Sequence, residues 1–241
     1  AGKIKTTTSY DARGRTAVVS SPFAVDANNM PTETAQFTLT AYDELHRAKR
    51  ITAPDGSITS NTYLNNTVTT SDALGKSKRI TTDALGRIVS VVEDPQGLAV
   101  LTSYAYDAQG KLTMVCQNGT ISGTSCSGQA RTFTYDMPGR LTSAFNPESG
   151  TTLFSLYDEN DNLKRKSDPR SVSIDYTYDA LNRLETKTYS DGTPKVRFTY
   201  DTAYIGRPAS ISTLDSGNIL LTSTTLGYDA LGRTINKAGN V

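Results

Sequence analysis

The sequence is poor in the residue types that most often carry out catalysis or bind metals. Its 241 residues include one His, two Cys and no Trp. A catalytic triad or a zinc site needs several nucleophilic, imidazole, thiolate or carboxylate groups in a defined arrangement. No such set is evident, so the sequence predicts no catalytic residue, no cofactor site and no metal site, and we expect the chain not to be an enzyme.

An excess of one charge and a long apolar segment are also lacking. Lys and Arg number 25 against 24 Asp and Glu, a net charge of +1. Phosphate-rich partners are bound by uncompensated clusters of Lys and Arg, so the balance argues against a nucleic-acid partner. No stretch approaches the roughly 20 consecutive apolar residues that a membrane-spanning helix needs. We therefore expect no membrane span, and any export signal to lie upstream or to have been removed.

What the chain does contain is typical of a β protein. Thr is the commonest residue, and 13 Tyr, 18 Gly and 9 Pro accompany it. Thr and Tyr favour strands, whereas Gly and Pro mark turns. The mean hydropathy of −0.42 is too low for one thick apolar core. The composition therefore predicts an all-β protein with many reversals and a thin, partly solvated sheet.

A short motif recurs along the chain. Tyr-Asp occurs eight times, two further Asp keep the rest of the motif, and the ten Asp are on average about 24 residues apart. A period in this range indicates stacked supersecondary units. The recurring positions are Tyr10, Asp11, Gly14 and Arg15; Tyr42, Asp43 and Arg47; Asp72 and Gly75; Asp83, Gly86 and Arg87; Tyr106, Asp107 and Gly110; Tyr135, Asp136, Gly139 and Arg140; Tyr157 and Asp158; Tyr178, Asp179 and Arg183; Tyr200, Asp201, Gly206 and Arg207; and Tyr228, Asp229, Gly232 and Arg233.

Each motif predicts a strand that ends in a turn. An alternating run such as residues 131–135 precedes the Asp. The Asp can accept hydrogen bonds from backbone N–H groups two residues on, and a Gly three residues after it can adopt a positive φ. Where Gly is absent, His46, Asp161 and Asn182 are residue types that tolerate this conformation. In the Tyr200 unit, Gly206 follows a two-residue insertion, so the same turn is expected there.

A second class of turn lies between the first ones and predicts the opposite edge of the sheet. Its members combine Pro or Asp with Gly, as in residues 53–56, 94–97, 146–150, 190–192 and 215–217. Each unit is then two strands and two reversals. Ten units predict on the order of 20 antiparallel strands.

This alternation of Tyr-Asp-x-x-Gly-Arg-Leu with Asp-Pro-x-Gly turns resembles the RHS-repeat family, also called the YD-repeat family. The resemblance extends from Tyr10 to about Asn236. It implies a repetitive antiparallel β-hairpin sheet, curved or spiralling as in a β-solenoid-like shell, with residues 1–241 as a single repeat region of a longer protein. Bacterial members are secreted or lie at the cell surface. The implied function is a non-enzymatic wall segment that encapsulates a C-terminal toxin, whose partners are that cargo and the remaining shell repeats.

The alternative is a cell-surface adhesion or carbohydrate-binding module, as suggested for other YD proteins. Glycan binding would use exposed aromatic rings, and Tyr104, Tyr176 and Tyr189 lie outside the motif. Otherwise these are strand residues that pack along the sheet.

Three local patterns carry a chemical interpretation beside that of a turn. Residues 94–98 resemble the self-cleavage stretch of the family, and His46 is a lone candidate general base. Residues 158–162 resemble a calcium loop but lack its Gly at position six and its Glu at position twelve. Each coincides with a predicted turn, which favours the structural interpretation.

Cys116 and Cys126 flank a polar, Gly- and Ser-rich segment between two predicted strands. A hairpin would bring the two strands together, so the spacing predicts a disulfide at its base and an oxidising compartment. Two free thiols are the alternative.

A cation follows the Gly position in most units. These residues could form a basic ladder for an anion or a glycan, or each could pair with the Asp of its own or a neighbouring turn, and the equal charge numbers favour local pairing. They are Arg15, Arg47, Lys76, Arg87, Lys111, Arg140, Arg183, Arg207 and Arg233.

Overall fold

The computed structural model describes residues 3–202 and 204–240, and the regular structure in these ranges consists of β-strands. No helix in the described part of the chain is long and apolar enough to cross a membrane. The strands are β1 Lys3–Lys5, β2 Thr8–Tyr10, β3 Thr16–Ser20, β4 Phe23–Val25, β5 Phe37–Tyr42, β6 Ala48–Thr52, β7 Ile58–Leu64, β8 Thr67–Ser71, β9 Ser77–Thr82, β10 Ile88–Glu93, β11 Val100–Tyr106, β12 Leu112–Gln117, β13 Ile121–Ser122, β14 Ser125–Cys126, β15 Gln129–Tyr135, β16 Leu141–Asn146, β17 Gly150–Tyr157, β18 Leu163–Ser167, β19 Ser173–Tyr178, β20 Leu184–Tyr189, β21 Lys195–Tyr200, β22 Pro208–Leu214, β23 Leu220–Tyr228 and β24 Thr234–Asn240.

The strands are joined as antiparallel hairpins, which confirms the predicted all-β fold class. Twenty of the described strands belong to long antiparallel ladders, in agreement with the number expected from the repeats. The other four form two small sheets, β1 with β4 and β13 with β14.

The chain divides into two compact units. The first comprises Ala1–Ala105 and Val115–Gln129, and the second comprises Tyr106–Met114 and Ala130–Val241. In the first unit, β2 pairs with β3, β3 pairs with β5, and each strand from β5 to β10 pairs with the next. In the second unit, each strand from β15 to β24 does the same. Both units are therefore meanders of hairpins.

A β-bulge accompanies most Tyr-Asp turns. In the β15–β16 pair, Thr134 lies opposite Ser143 but Tyr135 lies opposite Leu141, so one residue of the return strand has no partner. The β19–β20 pair has the same shift next to Tyr178. A bulge bends the strand and re-aims the adjacent side chain. The shift lies at the Tyr that ends each of these strands, next to its turn.

The core is thin, as the low hydropathy predicts. The buried apolar residues among those described are Phe23, Val25, Val91, Val92, Met114, Cys116, Ala209 and Leu214. Most other strand residues are half-buried or alternate with exposed ones. Cross-strand hydroxyl pairs supplement the ladders: the Oγ1 atoms of Thr177 and Thr186 are 2.8 Å apart, and those of Thr134 and Thr142 are 2.9 Å apart. Such pairs are a main source of sheet stability when little apolar surface is buried.

One turn of the first unit lies at the edge opposite to the one predicted. The turns at Asp11, Asp43 and Asp83 share one edge of this meander, which we call the tyrosine edge. Between β7 and β8, a two-residue hairpin at Asn65-Asn66 occupies this edge. Because successive hairpins alternate between edges, the Asp72–Lys76 turn after β8 falls on the opposite edge. The prediction that Asp72 and Gly75 belong to the same row as the other motifs is therefore wrong.

Candidate functional site: the Asp–Arg–Tyr clamps

The Asp of each motif organises the turn through its backbone and its carboxylate. In the Asp43 turn, the Asp43 N–H donates to the Arg47 carbonyl at 2.9 Å and the His46 N–H donates to the Asp43 carbonyl at 3.2 Å. The Asp43 Oδ1 atom accepts from the N–H groups of Leu45 and Arg47, both at 2.9 Å. The short carboxylate thus satisfies the backbone donors that a tight reversal leaves free.

The position three residues after the Asp has the left-handed conformation in these turns. His46, Asp161 and Asn182 have φ values of 66°, 64° and 60°, and Gly206, which follows the two-residue insertion and lies five residues after Asp201, has 81°. The Gly residues at the same position are Gly14, Gly75, Gly86, Gly110, Gly139 and Gly232, all with positive φ. Only small or short polar residues adopt this conformation cheaply, which explains the residue types found there.

Six of the motif Arg residues form an ion pair with the Asp of their own turn. The Arg47 Nε atom donates to Asp43 Oδ2 at 2.7 Å, while the Arg47 backbone N–H binds the other carboxylate oxygen. The pairs are Arg15–Asp11, Arg47–Asp43, Arg87–Asp83, Arg140–Asp136, Arg183–Asp179 and Arg233–Asp229. Two of these Arg also reach the next turn, where Arg140 pairs with Asp161 at 2.8 Å and Arg183 with Asp201 at 2.7 Å. The cations are thus neutralised locally.

Three cations of the predicted set depart from this arrangement. The Lys111 ammonium donates to Gln109 Oε1 at 2.6 Å. Arg207 does not pair with Asp201, whose carboxylate instead accepts from the Gly206 N–H and pairs with Arg183. Neither Lys76 nor Arg207 forms an ion pair within the described ranges. Lys76 lies at the opposite edge, and the two-residue insertion separates Arg207 from Asp201.

These contacts lower the pKa of the turn carboxylates. The Arg47 backbone N–H holds the pKa of Asp43 below its ordinary value of 3.8, desolvation opposes this shift, and the Arg47 side chain adds to the lowering. The pKa values of Asp11, Asp179 and Asp229 are lowered by the equivalent Arg contacts. Charge-assisted hydrogen bonds of this kind favour the ionised carboxylate.

The Tyr that ends a following strand contacts the turn before it through its hydroxyl group and its ring. The Tyr42 hydroxyl donates to the Thr16 carbonyl at 2.8 Å, and the Arg15 guanidinium carbon lies 4.5 Å from the centre of the Tyr42 ring. The same hydroxyl contact joins Tyr63 to Ala48, Tyr135 to Leu112, Tyr157 to Leu141, Tyr178 to Leu163, Tyr200 to Leu184 and Tyr228 to Pro208, at 2.6–2.9 Å. In each case the accepting carbonyl belongs to the residue just after the Arg position of the preceding turn.

We call this set of contacts a clamp: the Asp and Arg of one turn, the carbonyl after the Arg, and the Tyr of a following strand. A cation lies over the Tyr ring in at least five clamps, with Arg15, Arg47, Arg140 and Arg183 at 4.1–4.6 Å and Lys111 at 5.7 Å. Burial raises the pKa of Tyr157, and Asp136 adds to the shift. The hydroxyl therefore stays protonated and remains a donor over a wide pH range.

Tyr63 is a clamp residue that the motif search missed. No Asp follows it, because the two-residue hairpin at Asn65-Asn66 replaces the usual turn. Its ring nevertheless lies 4.1 Å from the Arg47 guanidinium carbon, and its hydroxyl donates to the Ala48 carbonyl at 2.9 Å. The spacing from Tyr42 is 21 residues, the same as that from Tyr157 to Tyr178. Spacing could therefore have identified Tyr63.

The clamp persists where its Arg is missing. Asn162 stands at the Arg position of the Asp158 turn and donates from Nδ2 to Asp158 Oδ2 at 3.0 Å. Tyr178 still donates to the Leu163 carbonyl at 2.9 Å. The hydroxyl contact is thus the part common to the clamps, and the cation is an addition to it.

Comparison with known proteins agrees with this repeat. The RHS Repeat family model matches residues 83–121 and 157–194, and these segments contain the turns at Asp83, Asp107, Asp158 and Asp179. The chain contains RHS repeats. No curated protein matches the sequence.

Two solved structures share the fold of this chain. The crystal structure of TcdB2-TccC3-Cdc42 superposes with a TM-score of 0.66 at 13% identity, over 95% of this chain and 15% of that chain. The structure of the Photorhabdus luminescens Tc holotoxin pore with the TccC3 mutation D651A gives a TM-score of 0.58 at 14% identity, over 98% of this chain and 15% of that chain. This chain thus spans a small part of the chains it resembles. The matches show that the fold is shared.

Cys116 and Cys126, which lie outside the RHS turns, form a disulfide in the structure, with an S–S distance of 2.01 Å and a Cα–Cα distance of 5.6 Å. Both belong to the first unit, and Cys116 is completely buried. The Ser103 Oγ atom donates to the Gly119 carbonyl in the enclosed loop at 2.9 Å. The bond therefore closes a loop that also packs on a neighbouring strand.

The three patterns with a chemical interpretation all lie in turns. Asp94 has a φ of 48°, its carbonyl accepts from the Ala99 N–H at 2.9 Å, and its carboxylate accepts from the Leu98 N–H at 3.2 Å. His46 occupies the left-handed position of an RHS turn. The Asp158 carboxylate binds Asn160 and Asn162 of its own turn. Each of these groups is engaged in holding its turn.

The Tyr residues predicted as a glycan platform lie within strands. Tyr104, Tyr176 and Tyr189 are each half-buried. Burial raises the pKa of Tyr176, with Tyr189 contributing. Their rings therefore do not stand free of the sheet, as a stacking platform would require.

Proposed function

We propose that the chain is a non-enzymatic structural segment of an RHS-type β-shell that encapsulates a C-terminal toxin in a longer parent protein. Residues 1–241 would then be one region of repeats. The observation that carries the proposal is the clamp, which recurs hairpin after hairpin in both units. The repeated residues thus act on neighbouring hairpins of the sheet rather than on a ligand.

The clamp suits a wall for physical reasons. A sheet with little buried apolar surface needs other contacts to keep successive hairpins in register. Each clamp adds a hydrogen bond to a strand-end carbonyl, and most add an Asp–Arg pair beneath the aromatic ring. The pairs also neutralise the row of turns, so that the wall offers no basic patch to nucleic acid.

The proposed location is secreted or at the cell surface of a bacterium. The Cys116–Cys126 disulfide supports this, because such bonds persist mainly in oxidising compartments. The proposed partners are the toxin cargo and the remaining shell repeats. The similar fold of TcdB2-TccC3, which belongs to a Tc toxin, is consistent with such partners.

Limited proteolysis of the full-length parent protein tests encapsulation. We expect the region after the RHS repeats to resist a protease that digests the same region expressed alone. Replacing several clamp Tyr residues by Leu should open the wall and make the cargo as sensitive as the isolated region. Equal sensitivity of the cargo in the unaltered parent and in isolation would contradict the proposal.

Carbohydrate binding is the competing function. A shallow groove lined by Asn160, Tyr176 and Asn182 favours it, since glycan sites combine an aromatic ring with amide groups. The half-buried state of Tyr176 and the bond between the Asn160 and Asn182 side chains weigh against it. Binding on a glycan array that disappears in Tyr176→Ala but persists in Tyr189→Ala would favour this function over that of a wall.

A further inference from the structure

Four of the Tyr-Asp turns carry an exposed Leu at the same position, two residues after the Asp. These apex leucines are Leu45, Leu85, Leu181 and Leu231, and their side chains are 70–77% exposed. Positions in tight turns are usually occupied by Gly, Pro, Asn, Asp or Ser, each of which assists the reversal itself. A Leu does not assist the reversal, so its recurrence at this position points to an apolar neighbour outside the turn.

Each apex leucine belongs to a turn whose charges are already paired. Its own N–H donates to the Asp carboxylate at 2.9 Å in all four turns. The same carboxylate forms an ion pair with the Arg two residues after the Leu. Burying a polar group is most costly when the group has no partner. These apices can therefore enter an apolar contact without leaving their N–H or the Asp charge unpaired.

In the second unit the exposed apices form a row. The turns that join β19 to β20, β21 to β22 and β23 to β24 follow one another on one edge, and they carry Leu181, Ile205 and Leu231. Successive turns on an edge are two strands apart, which is about 10 Å. The three side chains therefore form a nearly continuous apolar strip. In the first unit, Leu45 and Leu85 lie on the tyrosine edge.

The opposite edge of each unit also carries exposed apolar side chains. In the first unit, Leu74 and Leu98 lie in the turns after β8 and β10, and each is 86% exposed. In the second unit, Ile219 lies exposed in the turn after β22. An edge formed by turns lacks the row of free N–H and C=O groups that a strand edge presents. Such an edge joins another surface through its side chains.

We propose that the apex leucines form the surface through which this wall meets the turns of another stretch of RHS hairpins in the same parent protein. The inference rests on the proposed function, because a sheet encloses a cargo only if its turn edges are sealed as well. The two structures that share the fold contain chains several times longer than this one, so a parent of that kind has room for such a stretch. Apolar apices on both edges are complementary to each other, and their contact excludes water from the seam.

Photo-crosslinking in the full-length parent protein identifies what the apices contact. In one variant Leu181 is replaced by the photoreactive residue benzoylphenylalanine, and in the control the exposed strand residue Arg197 is replaced in the same way. We expect the residue at position 181 to cross-link to hairpin turns of other RHS repeats, and the one at position 197 not to do so. Cross-links from position 181 to the enclosed region, or no cross-link, would overturn the proposal.

Protease protection of the cargo tests whether the contact seals the wall. The variant combines Leu45→Ser, Leu85→Ser, Leu181→Ser and Leu231→Ser in the parent protein, and we expect its cargo to be digested at least about tenfold faster, because burying even one Leu is worth about that factor. Gln109→Ser changes a polar residue at the same turn position and should leave the rate unchanged. The fourfold variant of the isolated chain should keep its urea midpoint, since the side chains are exposed.

The outcomes separate this inference from the proposed function. Unchanged protection in the fourfold variant would overturn the inference and leave encapsulation standing. Digestion of the cargo in the unaltered parent would contradict encapsulation, and the cross-links from position 181 would still decide the inference. A lipid surface is the other apolar partner, and flotation with phosphatidylcholine vesicles tests it. Binding to vesicles that is lost in the fourfold variant would assign the apices to lipid and overturn the proposal, whereas we expect no binding.

Discussion

Two turns of nearly identical sequence have different surroundings. Asp72 and Asp83 each begin Asp-Ala-Leu-Gly, followed by Lys76 in one turn and Arg87 in the other. Their backbones agree: the N–H two residues on donates to the carboxylate at 3.0 Å and 2.9 Å, and the Gly φ values are 75° and 79°. Arg87 pairs with Asp83 at 2.7 Å, whereas Lys76 has no ion pair in the described part of the chain.

The two turns differ in their cation, Lys76 against Arg87, and also in the edge of the sheet on which they lie. The Asp83 turn lies on the tyrosine edge, and the Asp72 turn lies on the opposite one. The pentapeptide is sufficient for the reversal, because the Asp and the left-handed residue satisfy the backbone locally. A clamp also needs a Tyr from another hairpin, and that depends on how many strands lie between the two turns.

We expect the largest loss of stability from removing the disulfide, which lies outside these turns. Replacing Cys116 and Cys126 by Ser should lower the free energy of unfolding by about 2 to 3 kcal/mol, because the bond closes a loop of 10 residues in the unfolded chain. Urea unfolding measures this. A loss below that of any single turn variant would show that the loop is held by its packing instead.

The Gly residues of the two turns should be equally sensitive. Gly75→Ala and Gly86→Ala each introduce a side chain at positive φ, which costs about 1 to 2 kcal/mol. Neither site has an atom within 4 Å of the added Cβ, so backbone strain alone sets the loss. Urea midpoints that differ strongly between the two variants would show that the turns are not locally determined.

Unlike the two Gly substitutions, substitutions of the two cations should differ in their effect on stability. Arg47→Met removes an ion pair and a ring contact and should cost about 1 kcal/mol. Lys76→Met should change stability by less than about 0.5 kcal/mol, as expected of a surface substitution. The difference between their unfolding midpoints is the test. Equal losses would show that the ion pair and the ring contact of Arg47 contribute nothing to stability.

Lowering the pH should produce the most gradual loss of folding stability. The pKa values of Asp11, Asp43, Asp179 and Asp229 are lowered in the folded chain, so their contribution is complete above the ordinary value of 3.8. It is lost as pH falls through the lower folded values, because the unfolded chain then binds more protons. Unfolding midpoints measured from pH 6 to pH 2 should decline below about pH 4. A flat profile would indicate that the Asp contacts contribute little.

The sequence predicts local features better than it predicts the edge of the sheet on which they fall. The turns and their left-handed positions follow from the residue types at Asp83 and Gly86, and the alternating runs indicate the strands. The edge of the Asp72 turn depends on strand number, which changes with the two-residue hairpin at Asn65-Asn66. This hairpin has no strong signal in the sequence, because Asn-Asn lacks the Gly that usually marks such a loop.

The clamp, like the edge of the sheet, could not be predicted from local sequence. Its hydroxyl acceptor is a backbone carbonyl, and a carbonyl has no signature in the sequence. Tyr42 and Thr16 are 26 residues apart and meet only because β3 and β5 pair. The turn at Asp168, with Ser171 at a φ of 65°, was missed for a simpler reason, because it contains no Gly.

A double-mutant cycle on Arg47 and Tyr63 tests the clamp most directly. The cycle compares Arg47→Met, Tyr63→Leu and the double variant in urea unfolding, with Lys76→Met and Tyr63→Leu as the control. The ring contact predicts a coupling of about 0.5 to 1 kcal/mol for Arg47 with Tyr63, and none for Lys76 with Tyr63. Zero coupling between Arg47 and Tyr63 would contradict the account, because the guanidinium and the ring would then not stabilise each other across the clamp.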